Sequence, residues 1–434
     1  MFKHIKKSLS VLAAAAMVFS AACFPAASLA AAPAGDQLIG TLEEDDLFSD
    51  RDLRQEADTS QAVFYTVSDG SGVTLDSEGV YVFSGSAKEY SIIVDAGEKD
   101  KIQIVLDGVS VTNTTAPVIY VKNCDKVFVT TSEGSESNLS VTGTFEKDGS
   151  TKTDGVIFSK QDLVLNGLGV LNISSSDNGA VSKDDLKVTG GTWNISCSGN
   201  ALEANDSIQI ADGTINVTKC KNGIRADNDD NDSLGYVIIL GGTVDITASG
   251  DGIRGTSVVR IDGGDITVTA AEGVEGTYIL MNGGTVSVTA SDDGINATAK
   301  SSSYEVWIVI NGGSLSVTMG RGDTDALDAN GSIVINGGNV NISAQFAFDY
   351  DRSGEIRGGT VVVNGEQVTA MSNQMMGGGG RPGGGWGQPG DGAGQPDGGW
   401  GQPGDGAGQP DGGWGQPGGG WGQPGGGRPG GGHR

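Results

Sequence analysis

Between about Gly167 and Gly359 the chain alternates apolar and polar residues in short, regular runs. Val244-Asp245-Ile246 and Val286-Ser287-Val288 show the pattern: a period of two, which predicts strands with one buried face. The runs flank a Gly-Gly corner that recurs at Gly190-Gly191, Gly241-Gly242, Gly263-Gly264, Gly283-Gly284, Gly312-Gly313, Gly337-Gly338 and Gly358-Gly359. The cleanest copy, residues 279–297, reads β-branched strand, Asn-Gly-Gly, second strand, then acid-Gly-apolar. Most steps are about 20–25 residues, and two of about 29 carry insertions.

A copy this short holds two strands and no helix, lacks a leucine-rich consensus, and is half the length of a propeller blade. The repeat predicts a β-solenoid, each coil stacking in parallel on the next about 4.8 Å away. Val244, Ile246, Ile266, Val268, Val286, Val288, Leu315, Val317, Val340 and Ile342 are then inward columns. Asp245, Thr267, Ser287, Ser316 and Asn341 face water.

The remainder divides by composition. Residues 1–31 read as a secretory signal: Lys3, Lys6 and Lys7, an apolar stretch from Leu9 to Phe24, then small residues around Ala30. Ser20-Ala21-Ala22-Cys23 offers a lipoprotein site as the rival reading. Residues 32–45 are an acidic leader and residues 46–370 the solenoid, with its first strand near Val63-Phe64-Tyr65 and a loop at 144–153. Residues 371–434 form a Gly/Pro/Gln/Trp-rich tail that cannot bury a core and reads as disordered. Its Trp residues offer cell-wall association, against a plain linker; its Trp-Gly-Gln-Pro-Gly repeats lack the His that copper binding needs. Cys197 and Cys220 fall near equivalent places in adjacent coils, one residue out of register. A disulfide and a stack of buried thiols both fit.

The net charge is -27, which excludes nucleic acid as a favoured partner and would repel an anionic polysaccharide unless cations bridge it. Aligning the coils on the acid-Gly corner gives one column of Asn178, Asn200, Asn222, Asp251, Glu272, Asp293 and Asp325. A second, three residues on, reads Val181, Glu203, Arg225, Arg254, Glu275, Asn296, Asp328 and Asp349. The three Asn residues suit an amide ladder. Arg225 and Arg254 can neutralise Glu203, Asp251 and Glu275. Nothing basic in these columns serves Asp293, Asp325, Asp328 and Asp349; with Asp292 and Asp323 they make an oxygen-rich patch suited to Ca²⁺. Asp227 and Asp229 belong to a second calcium-capable run, an EF-hand-like alternation without its sixth-position Gly or terminal Glu. The insertions at 227–235 and 298–305 follow the same corner and should project from one side, where Tyr304 and Trp307 offer platforms for a sugar ring.

Together with the coils, Phe48-Ser49-Asp50-Arg51-Asp52-Leu53, Ile104-Val105-Leu106-Asp107-Gly108-Val109 and Ala116-Pro117-Val118-Ile119-Tyr120-Val121 carry a resemblance. Over residues 46–370 the chain resembles a family of secreted carbohydrate-binding parallel β-helix proteins, pectate-lyase-like in fold, that bind cellulose and acidic sugars and carry calcium. The resemblance implies an all-β, right-handed parallel β-helix, extracellular placement, and polysaccharide partners such as cellulose and polygalacturonate.

Residues 46–370 contain no histidine, which removes Ser-His and Cys-His nucleophiles and His-type zinc sites. A calcium-dependent lyase would need an Arg base, for which Arg225, Arg254 and Arg321 are the candidates; Arg225 and Arg254 sit among acids, which fits charge compensation better. The expected function is non-catalytic carbohydrate binding, with Arg225, Arg254, Tyr304 and Trp307 as candidate ligand contacts. A lyase and a structural or adhesive surface protein are the alternatives.

Overall fold

A computed structural model describes residues 47–321 and 324–373. The expected signal, the leader, Asp323 and all of the expected tail beyond residue 373 lie outside these residues. Among the described residues no helix is long and apolar enough to cross a membrane.

The fold is all-β, with strands in one 24-stranded and one 12-stranded sheet. All strand pairs are parallel except the closing one. The larger sheet is two ladders joined by the bent strand Lys101–Asn113, so each coil contributes one strand to each of three ladders. In one coil these are Tyr278–Met281, Thr285–Ala290 and Ile295–Ala297. The alternation dictates what is inside. Every inward residue named above is buried, and the positions between them are exposed or half-buried. Trp193 is the largest fully buried side chain; its indole N–H donates to the Gly190 carbonyl at 2.7 Å.

The Gly-Gly corner is glycine for two separate reasons. The second glycine has positive φ, +79° at Gly284 and +89° at Gly264. The first lies on the preceding coil: a Cβ on Gly283 would sit 2.3 Å from the Asp262 carbonyl oxygen.

Two devices finish the solenoid. At the C-terminal end, Thr360–Val363 turns back on Glu366–Val368 in the antiparallel pair. The second device is lateral: Leu47–Gln55 lies as a strap along the outer face of the first ladder, from Gly167 and Thr189 at Gln55 to the cluster with Ile238 and Tyr278 at Leu47 and Phe48. Ser49 and Asp52 cap each other's backbone N–H. Asp52, only 1% exposed, meets Lys126 at 3.2 Å and Lys187 at 3.6 Å. Burial alone would raise this carboxyl, but the Ser49 N–H and both lysines outweigh it and bring it below its usual range. The strap also explains outward positions that are apolar: Arg51 lies over Phe128, and Leu47 and Phe48 pack with Ile238, Val258 and Leu280, while Lys187 lies over the Phe48 ring.

Cys197 and Cys220 are buried free thiols, so of the two arrangements the thiol stack is the one adopted. The register mismatch is absorbed by a bulge after Ile195, where Ser196 pairs with Lys219. Burial pushes both thiols up to about 12.

Gly284→Val is expected to cost about 2 kcal/mol or more, because it forces a β-branched residue to positive φ. Ser287→Val, on the water-facing side of the same coil, should change stability by less than about 0.5 kcal/mol. Equal urea midpoints for the two variants would contradict this account of the corner.

Candidate functional site

The third ladder carries the charged columns, and its register matches the alignment made from sequence. Val181 pairs with Glu203, Glu203 with Arg225, Arg225 with Arg254, and Arg254 with Glu275. Glu275 then pairs with Asn296, Asn296 with Asp328, and Asp328 with Asp349. Like charges are thus stacked at about 4.8 Å, and each must be compensated or expelled.

The upper part is compensated. Glu203 accepts from Asn178 Nδ2 at 3.1 Å, Asn200 Nδ2 at 2.6 Å and Lys183 Nζ at 3.1 Å. The expected Asn ladder is therefore broken. Asn222 Nδ2 donates to Asn200 Oδ1 at 2.8 Å, but Asn200 spends its own amide N–H on Glu203. Asn178 Oδ1 and Asn222 Oδ1 instead cap the backbone N–H of the following coil, at Asn200 and Asp251. Uninterrupted amide ladders run elsewhere, through Asn138, Asn172, Asn194 and Asn216 at 2.8–2.9 Å.

Arg254 bridges Asp251 at 3.2 Å and Glu275 at 3.4 Å, as the columns implied, and Lys300 adds an ion pair to Glu275 at 2.7 Å. Burial works against the Arg254 charge, but Glu275 and Asp251 outweigh it and move its pKa further up. Arg225 does not serve Glu203. It turns to Asp227, whose other oxygen takes the Thr256 hydroxyl at 2.5 Å, because the inserted loop brings that carboxylate closer.

The lower part is not compensated. Asp328 and Asp349 form no ion pair or hydrogen bond with another described residue. Burial, then the charges of Asp293, Asp349, Asp325 and Asp351, push Asp328 up to about 7. Asn296 donates to Glu272 at 3.2 Å and Asp293 at 3.3 Å, while its buried Oδ1 has no donor. The buried Thr324 Oγ1 is likewise without a partner. Carboxylates that repel one another, beside neutral oxygens lacking donors, fit a hard cation.

A family model described as carbohydrate-binding domain-containing protein matches residues 69–278 and 270–375. The chain belongs to this family. A carbohydrate-binding domain-containing protein of Acetivibrio thermocellus is 34% identical over 122 residues, 27% of this chain and 43% of that protein's length. A solved structure of a polysaccharide lyase-like protein from C. thermocellum, a gadolinium derivative, is 31% identical, with a TM-score of 0.46. That match covers 48% of this chain and 87% of the solved one.

The carbohydrate-binding domain gathers further acids that the sequence did not single out as metal ligands. Carboxylate oxygens of Asp251, Glu272 and Glu275 lie within 4.8 Å of one another, and Glu272 is raised to about 7, by burial first and then by Glu275 and Asp251. A second convergence joins Asp162, Asp184 and Asp185 at another corner. Burial, then Asp162, Asp185 and Asp206, raise Asp184 to about 6. The 22-residue spacing of Asp162, Asp184 and Asp206 was the readable signal.

The other sequence-derived residues are dispersed. Asp292 is exposed beside the half-buried Asp293, and Asp229 is exposed on its loop. The Asp325 backbone N–H donates to Asp293 Oδ1 at 3.3 Å. The two insertions do share one side: Ser301 and Ser302 bond Asp232, and Tyr304 reaches Ser233. Tyr304 is no open sugar platform, being 9% exposed in an apolar cluster with Tyr278, Leu280 and the strap's Phe48. Trp307 is half-buried against the same cluster, its Nε1 donating to Glu305 at 3.2 Å.

A carboxyl raised in the folded state favours folding while protonated and loses that contribution as pH rises through its folded value. In chelator, the melting temperature of the domain should therefore fall between about pH 5 and 8. Asp328→Asn should raise it at pH 8 and reduce the slope. A pH 8 melting temperature equal to or below wild type would refute the repulsive stack.

Proposed function

We propose that this is a secreted, non-catalytic carbohydrate-binding protein of right-handed solenoid form that recognises plant-type polysaccharide, cellulose or acidic sugars such as polygalacturonate. The right hand is the usual sense of parallel strand connection. Calcium belongs to this reading. Asp293, Asp325, Asp328 and Asp349, with Asn296 and Thr324 oxygens, would hold it, with the exposed Asp292 next to Asp293; Asp323 lies outside the described residues. When bound, the ion supplies positive charge that a uronate carboxylate can also coordinate, turning a repelling face into an attracting one. The chain's own part is to fix the carboxylates in register on a rigid ladder before a ligand arrives, which lowers the ordering cost of binding.

The observation that carries the reading is the contrast within one column of a carbohydrate-binding domain. Arg254 and Lys300 pair with Asp251 and Glu275 above Asn296, whereas Asp328 and Asp349 below it have no counter-charge among the described residues. The non-catalytic part is supported by the same arginines. Arg254, the most enclosed candidate base, is held charged by two carboxylates, and Arg225 is paired with Asp227. A base must be able to give up its proton near the working pH.

Pull-down of the secreted chain on polygalacturonate and cellulose, with calcium and with chelator, tests this. Polygalacturonate retention should need calcium and weaken at least about tenfold in Asp328→Asn/Asp349→Asn, about 1.4 kcal/mol. Cellulose retention should survive chelation. Ultraviolet-absorbing unsaturated product would make the protein a lyase, and calcium-independent retention on polygalacturonate would remove the metal from recognition.

A further inference from the structure

The corner between the first and second ladders is recessed wherever glycine occupies it. In the earlier regular coils the recess opens into a groove of about 750 Å³, within the range of saccharide-sized sites. Its lining takes in glycine backbone from four successive coils, Gly167 to Gly242; the Gln55 amide lies against Gly167 and Gly190, and the floor beyond it, from Gly191 to Gly242, runs along the solenoid axis for roughly 10 Å at about 4.8 Å per coil. Past Gln55 the floor residues can carry no side chain of their own. A Cβ on Gly242 would lie 2.7 Å from the Gly213 carbonyl oxygen, at φ +86°.

One wall is built by the strap. Gln55 Nε2 donates to the carbonyls of Leu53 at 2.9 Å and Thr189 at 2.7 Å, and its Oε1 accepts from the Gly167 N–H at 2.9 Å. This wall is fixed before any ligand arrives. The opposite wall presents Thr214 and Thr243, whose hydroxyls bond no other described side chain. Leu168, one of the few large apolar residues half exposed (50%), stands at one end.

The lining holds a single charged group, Asp212, with no cation beside it. A uronate chain would meet repulsion there, whereas a neutral chain would not. A hexose ring has an apolar C–H face and a rim of hydroxyls, matching leucine with threonine and amide. A straight groove suits an extended chain rather than a coiled one. Resting on the carbohydrate-binding reading above, we infer that this corner groove seats a neutral, extended β-linked glucan. It is a different place from the acidic column on the third ladder.

The test is titration of the secreted full chain with cellohexaose in chelator, alongside calcium-dependent polygalacturonate binding. Thr243→Arg places a long side chain across the groove from an exposed position; Leu168→Ala only trims exposed atoms and serves if the arginine disturbs the coil. Each should weaken cellohexaose by about tenfold and about threefold respectively, while polygalacturonate binding stays within about twofold of wild type. Unchanged cellohexaose affinity in both variants would place the glucan elsewhere. Wild-type binding of polygalacturonate but not cellohexaose would remove the groove's ligand and leave the proposed function standing. Binding of neither would overturn both.

Discussion

Everything in this molecule depends on parallel backbone hydrogen bonding between coils in fixed register. A residue type repeated at one coil position becomes a column, and whatever that side chain does is done again about 4.8 Å away. Apolar columns turn this into a continuous core that no single coil makes alone. Glycine columns let neighbouring backbones touch at the corner. Asparagine columns bond to themselves, because an amide both donates and accepts. Charge is the one property that repetition makes worse.

The three outer faces answer that problem differently. The first is covered by the Leu47–Gln55 strap, whose Asp52 draws in Lys126 and Lys187. The second carries hydroxyls and amides, with Thr247, Thr269 and Thr289 exposed in successive coils. The third mixes signs along the column until Asn296, after which the acids are stacked on each other. Self-repulsion of that kind is tolerated where surrounding packing holds the backbone regardless, and such places are commonly functional.

How much was legible follows from this physics. Column membership is a matter of counting residues, so the core positions and every pairing from Val181 to Asp349 were readable. Side-chain choice between competing partners was not. Arg225 prefers Asp227 because an insertion folds back onto it, and Asn200 prefers Glu203 to its amide neighbour. Tyr304 sat in an insertion and looked exposed, but the strap and the loop together bury it. The strap's own position was invisible, since its motif says nothing of what lies 137 residues away, where the Thr189 hydroxyl bonds the Asp52 carbonyl at 2.5 Å. The Asp162, Asp184 and Asp185 cluster has no glycine signature at its corner to align on, and only the 22-residue spacing of Asp162, Asp184 and Asp206 marks it.

The strap is also made before the surface it needs. Asp52 leaves the ribosome well ahead of Lys126, Lys187 and Thr189, and it stays a lone carboxylate until those coils have stacked. Long-range closure of this sort is slow compared with adding one coil to the next. Docking is therefore a late step, taken when the first ladder already presents both lysines. A chain whose first ladder is incomplete offers residues 47–55 no lysines to pair with, so the segment can seat only once those coils have stacked.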